Sequence, residues 1–259
     1  FDVLGNGTSL IPYQKDVLLN LVTCALVIAG GIGFPVIFEL PLKHFSWKRQ
    51  SMHTRVVLST TFALLLFGTL LLKLTESISW LGAFFYSVSA RTAGFSTYNL
   101  SDFSTAGLLV VSGLMFIGAS PASTGGGIKT TTFFVLLSGI YSAATNHSER
   151  AFHNAIPKDA FRKASVISML AVFLVMTASY LMLIFDPQLS LRDVLFEMIS
   201  AFSTSGLSTG ITPQLSAQSR ILSIIMMYIG RLGPLTVASL WYFTIGERVR
   251  YPEGTIAIG

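Results

Sequence analysis

Two short strings of small residues, Thr92-Ala93-Gly94-Phe95-Ser96-Thr97 and Thr204-Ser205-Gly206-Leu207-Ser208-Thr209, match each other at an offset of 112 residues. In the same register, with no gap, Leu114-Met115-Phe116-Ile117-Gly118 falls on Met226-Met227-Tyr228-Ile229-Gly230, which makes the match an internal repeat. One such Thr/Ser/Gly string by itself would read as a helix N-cap or an ordinary turn. Repeated in register, the strings point to oxygen chemistry. The backbone carbonyls of Thr92, Ala93 and Gly94, and of Thr204, Ser205 and Gly206, can replace the water shell of a dehydrated cation. Gly94 and Gly206 would supply the unusual backbone angles that let consecutive carbonyls face one axis.

A second chemical feature is the run Gly118-Ala119-Ser120-Pro121-Ala122-Ser123-Thr124-Gly125-Gly126-Gly127-Ile128-Lys129-Thr130-Thr131. Pro121 and the consecutive Gly125, Gly126 and Gly127 cannot form a stable helix interior, so an intramembrane loop below the carbonyl strings is expected here. Lys129 either serves that loop or caps helix carbonyls. Arg231, just past a hinge expected at Gly230, lies where a charge is costly and faces a protein interior or an aqueous cavity. It would raise the barrier to a passing cation and bond the 118–131 loop, or act as a purely structural anchor.

These residues need a scaffold, and the composition says which kind. Only 11% of residues are charged against 52% hydrophobic, and the apolar residues come in blocks. Positions 17–38, 56–72, 103–128, 130–148 and 164–185 contain no Asp, Glu, Lys or Arg, and each block is long enough or nearly so to cross about 30 Å of hydrocarbon. Segment 221–246 is similar apart from Arg231. Each repeat reads as a span, a short apolar stretch, a Thr/Gly/Ser turn and an interrupted span: roughly 55–75, 78–90, 91–97 and 104–145, then 164–186, 191–202, 203–210 and 218–246. The short stretches are too brief to cross, and fit half-helices that enter the membrane and turn back. Non-helical backbone at that depth must be buried in protein or line a water-filled path. The negative end of each half-helix would then favour a cation at its turn.

Charge sets the topology. Lys43, Lys48, Arg49, Arg55, Arg150, Lys158, Arg162, Lys163, Arg248 and Arg250 cluster on what the positive-inside rule makes the cytoplasmic side. The opposite side holds Lys15, Lys73, Arg91, Arg192 and Arg220 with Asp2, Asp16, Glu76, Asp102, Asp186, Asp193 and Glu197. Those acids would attract cations weakly, or are ordinary solvated loop residues. The chain opens with Phe1-Asp2-Val3, without a starting Met or a basic leader, and is expected to be part of a longer protein.

Other chemistries fit poorly. Cys24 stands alone in an apolar block, which excludes a disulfide framework. His44, His53, His147 and His153 lack spaced metal partners. Ile128 separates the glycines from Lys129, unlike a phosphate-binding loop. No span pairs an acid with a base, so an enzyme is not expected. Nor does the modest net charge of +5 call for a nucleic-acid partner.

Thr92-Ala93-Gly94-Phe95, the Gly118–Thr131 run and Ile229-Gly230-Arg231-Leu232-Gly233-Pro234-Leu235 resemble the Trk/Ktr/HKT potassium transporters, essentially end to end. The tail Arg250-Tyr251-Pro252-Glu253-Gly254-Thr255-Ile256-Ala257-Ile258-Gly259 looks most like the Ktr membrane subunit. Each unit has one glycine where potassium channels have two, and Leu207 stands where the first unit has Phe95.

The resemblance implies an all-α integral membrane fold of four tandem M1–P-loop–M2 repeats around one pore, with interrupted M2 helices. Residues 1–54 would then end a second repeat, 55–158 form a third, and 159–259 form a fourth with a C-terminal tail. It also implies potassium uptake through a bacterial cell membrane, past a gate made by Gly118, Pro121, Gly125, Gly126, Gly127 and Lys129 with Arg231 beneath the filter. Potassium would be the transported ion and sodium an activator, with no cofactor held by this chain. The implied partners are the lipid bilayer, a second copy of the protein and a cytoplasmic ring of nucleotide-binding regulatory subunits. The competing expectation is a sodium-coupled alternating-access transporter, which also uses broken helices, although its repeats are often inverted and these are parallel.

Overall fold

The computed structural model describes residues 8–145, 150–152 and 154–234. Nine helices carry the architecture of these residues: α1 (Val17–Gly31), α2 (Phe34–Leu42), α3 (Met52–Thr75), α4 (Trp80–Ser89), α5 (Thr105–Phe116), α6 (Thr130–Thr145), α7 (Lys158–Phe185), α8 (Leu191–Ser203) and α9 (Ala217–Leu232). A two-stranded hairpin, β1 (Arg150–Ala151) and β2 (Asn154–Ala155), precedes α7. The helix starts are written in the sequence. The side chain of Ser51, Ser79, Ser104, Ser190 or Ser216, and of Asp16 before α1, accepts a hydrogen bond from the backbone N–H three residues on.

Helices α3 and α7 are long and apolar enough to cross a membrane. Their outward faces carry exposed Phe62, Phe67 and Leu74, and Met169, Phe173 and Tyr180, as a lipid-facing surface requires. The two short helices are buried instead. Helix α4 packs on α3 and α1, and α8 packs on α7, α9 and α5. Phe85, Tyr86, Phe196 and Phe202 on these helices are almost entirely enclosed. The cores interlock: Phe196 and Leu207 join the cluster around α3, α4 and α5, while Ile128 joins the cluster around α7, α8 and α9. The short helices that lead into the carbonyl strings are therefore anchored in interlocking cores.

The 17–38 block is interrupted at its Gly30-Gly31-Ile32-Gly33 run, the counterpart of the interruption that begins at Gly118, where α1 and α2 meet at a 96° bend. Gly33 at the bend takes φ +88°, which a side chain would resist. Helix α7 begins at Lys158, ahead of the expected 164, because an apolar run marks the lipid-embedded length and not the charged first turn carrying Asp159, Arg162 and Lys163. No break occurs at Gly230, which lies inside α9 with Phe202 of α8 packed directly against its Cα. That glycine permits a close helix approach. The break comes at Gly233, with φ +91°. Phe1, Asp2, His147, His153, Leu235, Arg248, Arg250 and the 250–259 tail lie outside the described residues.

Candidate functional site

Each carbonyl string begins where a buried short helix ends. The C-terminal ends of α4 and α8 thus face the strings, and the negative end of each helix dipole lies there. Within the strings, Thr92 and Gly94 both take φ +77°, and Thr204 and Gly206 take φ +54° and +83°, while Ala93 and Ser205 between them stay in the right-handed half of the map. Alternation of this kind rotates successive peptide planes so that neighbouring carbonyls face the same side. The glycines were expected to do this; the threonines were not, because a β-branched residue is rarely left-handed.

The two strings lie against each other. A Cβ on Gly94 would fall inside contact distance of the Ser205 carbonyl and 3.3 Å from Gly206 Cα, and a Cβ on Gly206 would be 3.8 Å from Gly94 Cα. Hydrogen bonds fix this pairing. Ser205 Oγ donates to the Ala90 carbonyl at 3.2 Å, tying one string to the helix end of the other. Ser89 Oγ donates to the Phe95 carbonyl at 2.6 Å.

Directly beneath sits the glycine-rich loop. Ile117 and Ile128 form a parallel bridge at its neck, and Ser120 and Thr130 share a buried hydroxyl bond of 3.0 Å. The Gly126 N–H donates to Thr204 Oγ1 at 3.2 Å. A side chain on Gly125 would collide with Thr92, one on Gly126 with Thr204, and one on Gly118 with the Gly126 carbonyl. The loop glycines are thus the surface that meets the threonine of each string. Pro121 turns the loop toward Gly33, whose Cα lies against the Pro121 carbonyl.

Clamps on two sides hold the loop. Toward the bend between α1 and α2, Ser120 N–H donates to the Gly31 carbonyl at 3.0 Å and Phe34 N–H donates to the Ala122 carbonyl at 3.1 Å. Toward α9, the Arg231 guanidinium donates to the Thr124 carbonyl. Inside the loop, Lys129 Nζ donates to the Gly125 carbonyl at 2.5 Å, so this lysine bonds a loop carbonyl. Thr124 also borders two cavities, one of about 870 Å³ shared with Thr204, Gly206 and Arg231, the other of about 250 Å³ shared with Arg91, Thr92 and Ala93. A third, of about 320 Å³, opens on the far side against Ser96, Tyr98, Gly206 and Ser208. The strings therefore border three cavities, and Thr124 of the loop lines two of them.

All the residues expected at the strings and in the loop are thereby brought together with Arg231. Two of the acids for which a solvated loop was one of two readings are enclosed instead, and so is Arg91. Arg91 and Asp186 are each only 4% exposed and Glu197 only 8%. Arg91 donates to Thr61 Oγ1 at 3.4 Å behind the first string. Asp186 accepts from Ser216 N–H and Oγ at the start of α9. Hydrogen bonds from Ser219 and Ser216 hold its carboxyl below the usual aspartate value. Glu197 accepts from Thr212 Oγ1 at 2.5 Å. The only signal for these positions was a charge bordering or interrupting an apolar stretch.

The profile of the cation transport protein family TrkH matches residues 51–243. The Ktr system potassium uptake protein D of Bacillus subtilis is 35% identical over the whole chain, and the Ktr system potassium uptake protein B of Vibrio alginolyticus is 35% identical over 97% of it. The potassium/sodium uptake protein NtpJ of Enterococcus hirae is 33% identical over the whole chain. This chain spans 58–61% of the length of these relatives. The crystal structure of the potassium transporter TrkH from Vibrio parahaemolyticus superposes on 87% of the chain, and this chain on 52% of it, with a TM-score of 0.69 at 18% identity.

Proposed function

The chain belongs to the TrkH family of cation transport proteins, and from that premise we propose that it contributes filter and gate to a potassium-conducting pore. The observation that carries the proposal is the pair of apposed strings, each with a left-handed Thr and Gly at the C-terminal end of a buried half-helix. In this reading the carbonyls of Thr92, Ala93, Gly94, Thr204, Ser205 and Gly206 coordinate a dehydrated potassium ion, and the helix ends stabilise its charge. The relatives named for potassium uptake support that choice of ion.

The gate in this account is the loop from Gly118 to Lys129. Its contact with Thr92 and Thr204 and its clamping by Arg231 support a barrier that must move before an ion passes. Arg231 adds a positive charge on the ion's route, which raises the barrier further. The residues at 1–54, 55–158 and 159–259 would supply the end of one repeat and two complete ones to a fourfold pore. A second copy, a cytoplasmic nucleotide-binding ring and activation by sodium complete the proposal, resting on family membership alone.

The test is potassium flux through the full-length protein in liposomes with Arg231→Ala. Flux above that of the unmodified protein supports the barrier. Equal or lower flux, in protein that inserts and extracts normally, removes Arg231 and the loop from the gate.

A further inference from the structure

The segments that leave the two strings on their outer side are tied back by different chemistry. In the first unit Tyr86, fully buried on α4, accepts from the Tyr98 N–H at 3.1 Å and donates to the Tyr98 carbonyl. A single phenol thus fixes the chain four residues beyond Gly94. At the 112-residue offset Met198 replaces Tyr86 and Gly210 replaces Tyr98, so the second unit cannot build this clamp.

What it has instead is a carboxylate. Glu197 Oε1 accepts from Thr212 Oγ1, that hydroxyl shares a 2.9 Å hydrogen bond with Ser208 Oγ, and Ser208 Oγ accepts from the Gly210 N–H at 3.0 Å. The chain of bonds runs from α8 to the segment immediately after Gly206. Glu197 lies among buried neighbours, and its Oε2 finds no hydrogen-bond partner among the described residues. A carboxylate enclosed in this way is costly. Phe85 fills the matching place in the first unit and is 1% exposed, so packing alone is satisfied by an apolar side chain. Glu197 therefore has a task that packing does not explain.

We propose that Glu197 is a positioning residue for ion selectivity, holding the outer end of the second string through Thr212 and Ser208 as Tyr86 holds the first. The inference rests on the filter reading of Thr204, Ser205 and Gly206. With the tether intact, the strand leaving Gly206 cannot drift outward and the carbonyl spacing stays fixed. Without it, the ring of oxygens relaxes to accept a smaller ion.

The experiment measures the potassium-to-sodium permeability ratio of the full-length protein in liposomes for Glu197→Ala, Glu197→Gln, Thr212→Val, the Glu197→Ala/Thr212→Val double variant and Gly206→Ser. Glu197→Ala and Thr212→Val should each lower the ratio about threefold or more, the equivalent of one net hydrogen bond. The double variant should fall no further than the lower single, because both cut the same chain. Glu197→Gln keeps an acceptor for Thr212 and should hold the ratio near that of the unmodified protein, a rescue that simple loss of stability would not produce. If Glu197→Ala does not assemble, Thr212→Val decides alone. A ratio unchanged in Glu197→Ala and Thr212→Val, or a Gln variant as impaired as Ala, overturns the tether while a reduced ratio in Gly206→Ser leaves the filter standing. An unchanged ratio in Gly206→Ser removes the filter, and the tether with it.

Discussion

Gly94 and Gly206 occupy matching places, yet they should not tolerate a side chain equally. Both have left-handed φ, so any L-residue there costs about 1–2 kcal/mol in backbone strain. At Gly94 the added Cβ also meets the Ser205 carbonyl, whereas at Gly206 its nearest neighbour is an ordinary 3.8 Å away. We predict that Gly94→Ser and Gly206→Ser both reduce the potassium-to-sodium permeability ratio, with the larger loss at Gly94. Equal ratios in the two variants and the unmodified protein would refute the filter assignment. The glycines were legible in the sequence because glycine alone takes such angles without strain. The left-handed Thr92 and Thr204 were not, since threonine avoids that region unless tertiary contacts enforce it, and such strain is often kept at functional sites. The burial of Arg91 and Glu197 was not legible for a related reason: a charge at the edge of an apolar stretch looks solvated until the helix bearing it is known to be enclosed.

Element by element, the repeat made most of the architecture readable, because a half-helix too short to cross a bilayer has few other uses. The expected 78–90 and 191–202 agree with α4 and α8 to within two residues. Gly230 was harder, since a glycine inside a helix can mark a hinge or a close approach, and sequence does not distinguish them. With Phe202 packed on its Cα, Gly230→Ala should separate α9 from α8 and destabilise the protein by about 1–3 kcal/mol, measured as a lower melting temperature in detergent. A hinge would instead tolerate alanine in the resting state. At the outer end, Asp186 caps the start of α9 from the end of α7. Its carboxyl titrates below the ordinary value of 3.8, so its contribution is present above that pH and is lost as the pH falls through the lower folded value. Asp186→Ala should therefore lower the melting temperature at neutral pH, with the gap from the unmodified protein closing under acid. A gap that widens below pH 3.8 would contradict the sign.

On the scale of the whole molecule, two units of like element order pack into interlocking cores, and in the proposed reading their carbonyl strings form an ion path above the clamped loop. The loop binds both the bend of α1 and α2 and Arg231 of α9, so elements far apart in sequence hold it from opposite sides. In the proposed pore ions would move only downhill, and opening would need displacement of the loop and of the Arg231 that clamps it. A coupled transporter must instead link each potassium ion to movement of a second ion. The most direct measurement is potassium and sodium flux by the full-length protein in liposomes, with and without an imposed sodium gradient. The account predicts selective potassium flux down its own gradient in the absence of sodium. Uphill potassium movement that requires a sodium gradient would contradict it.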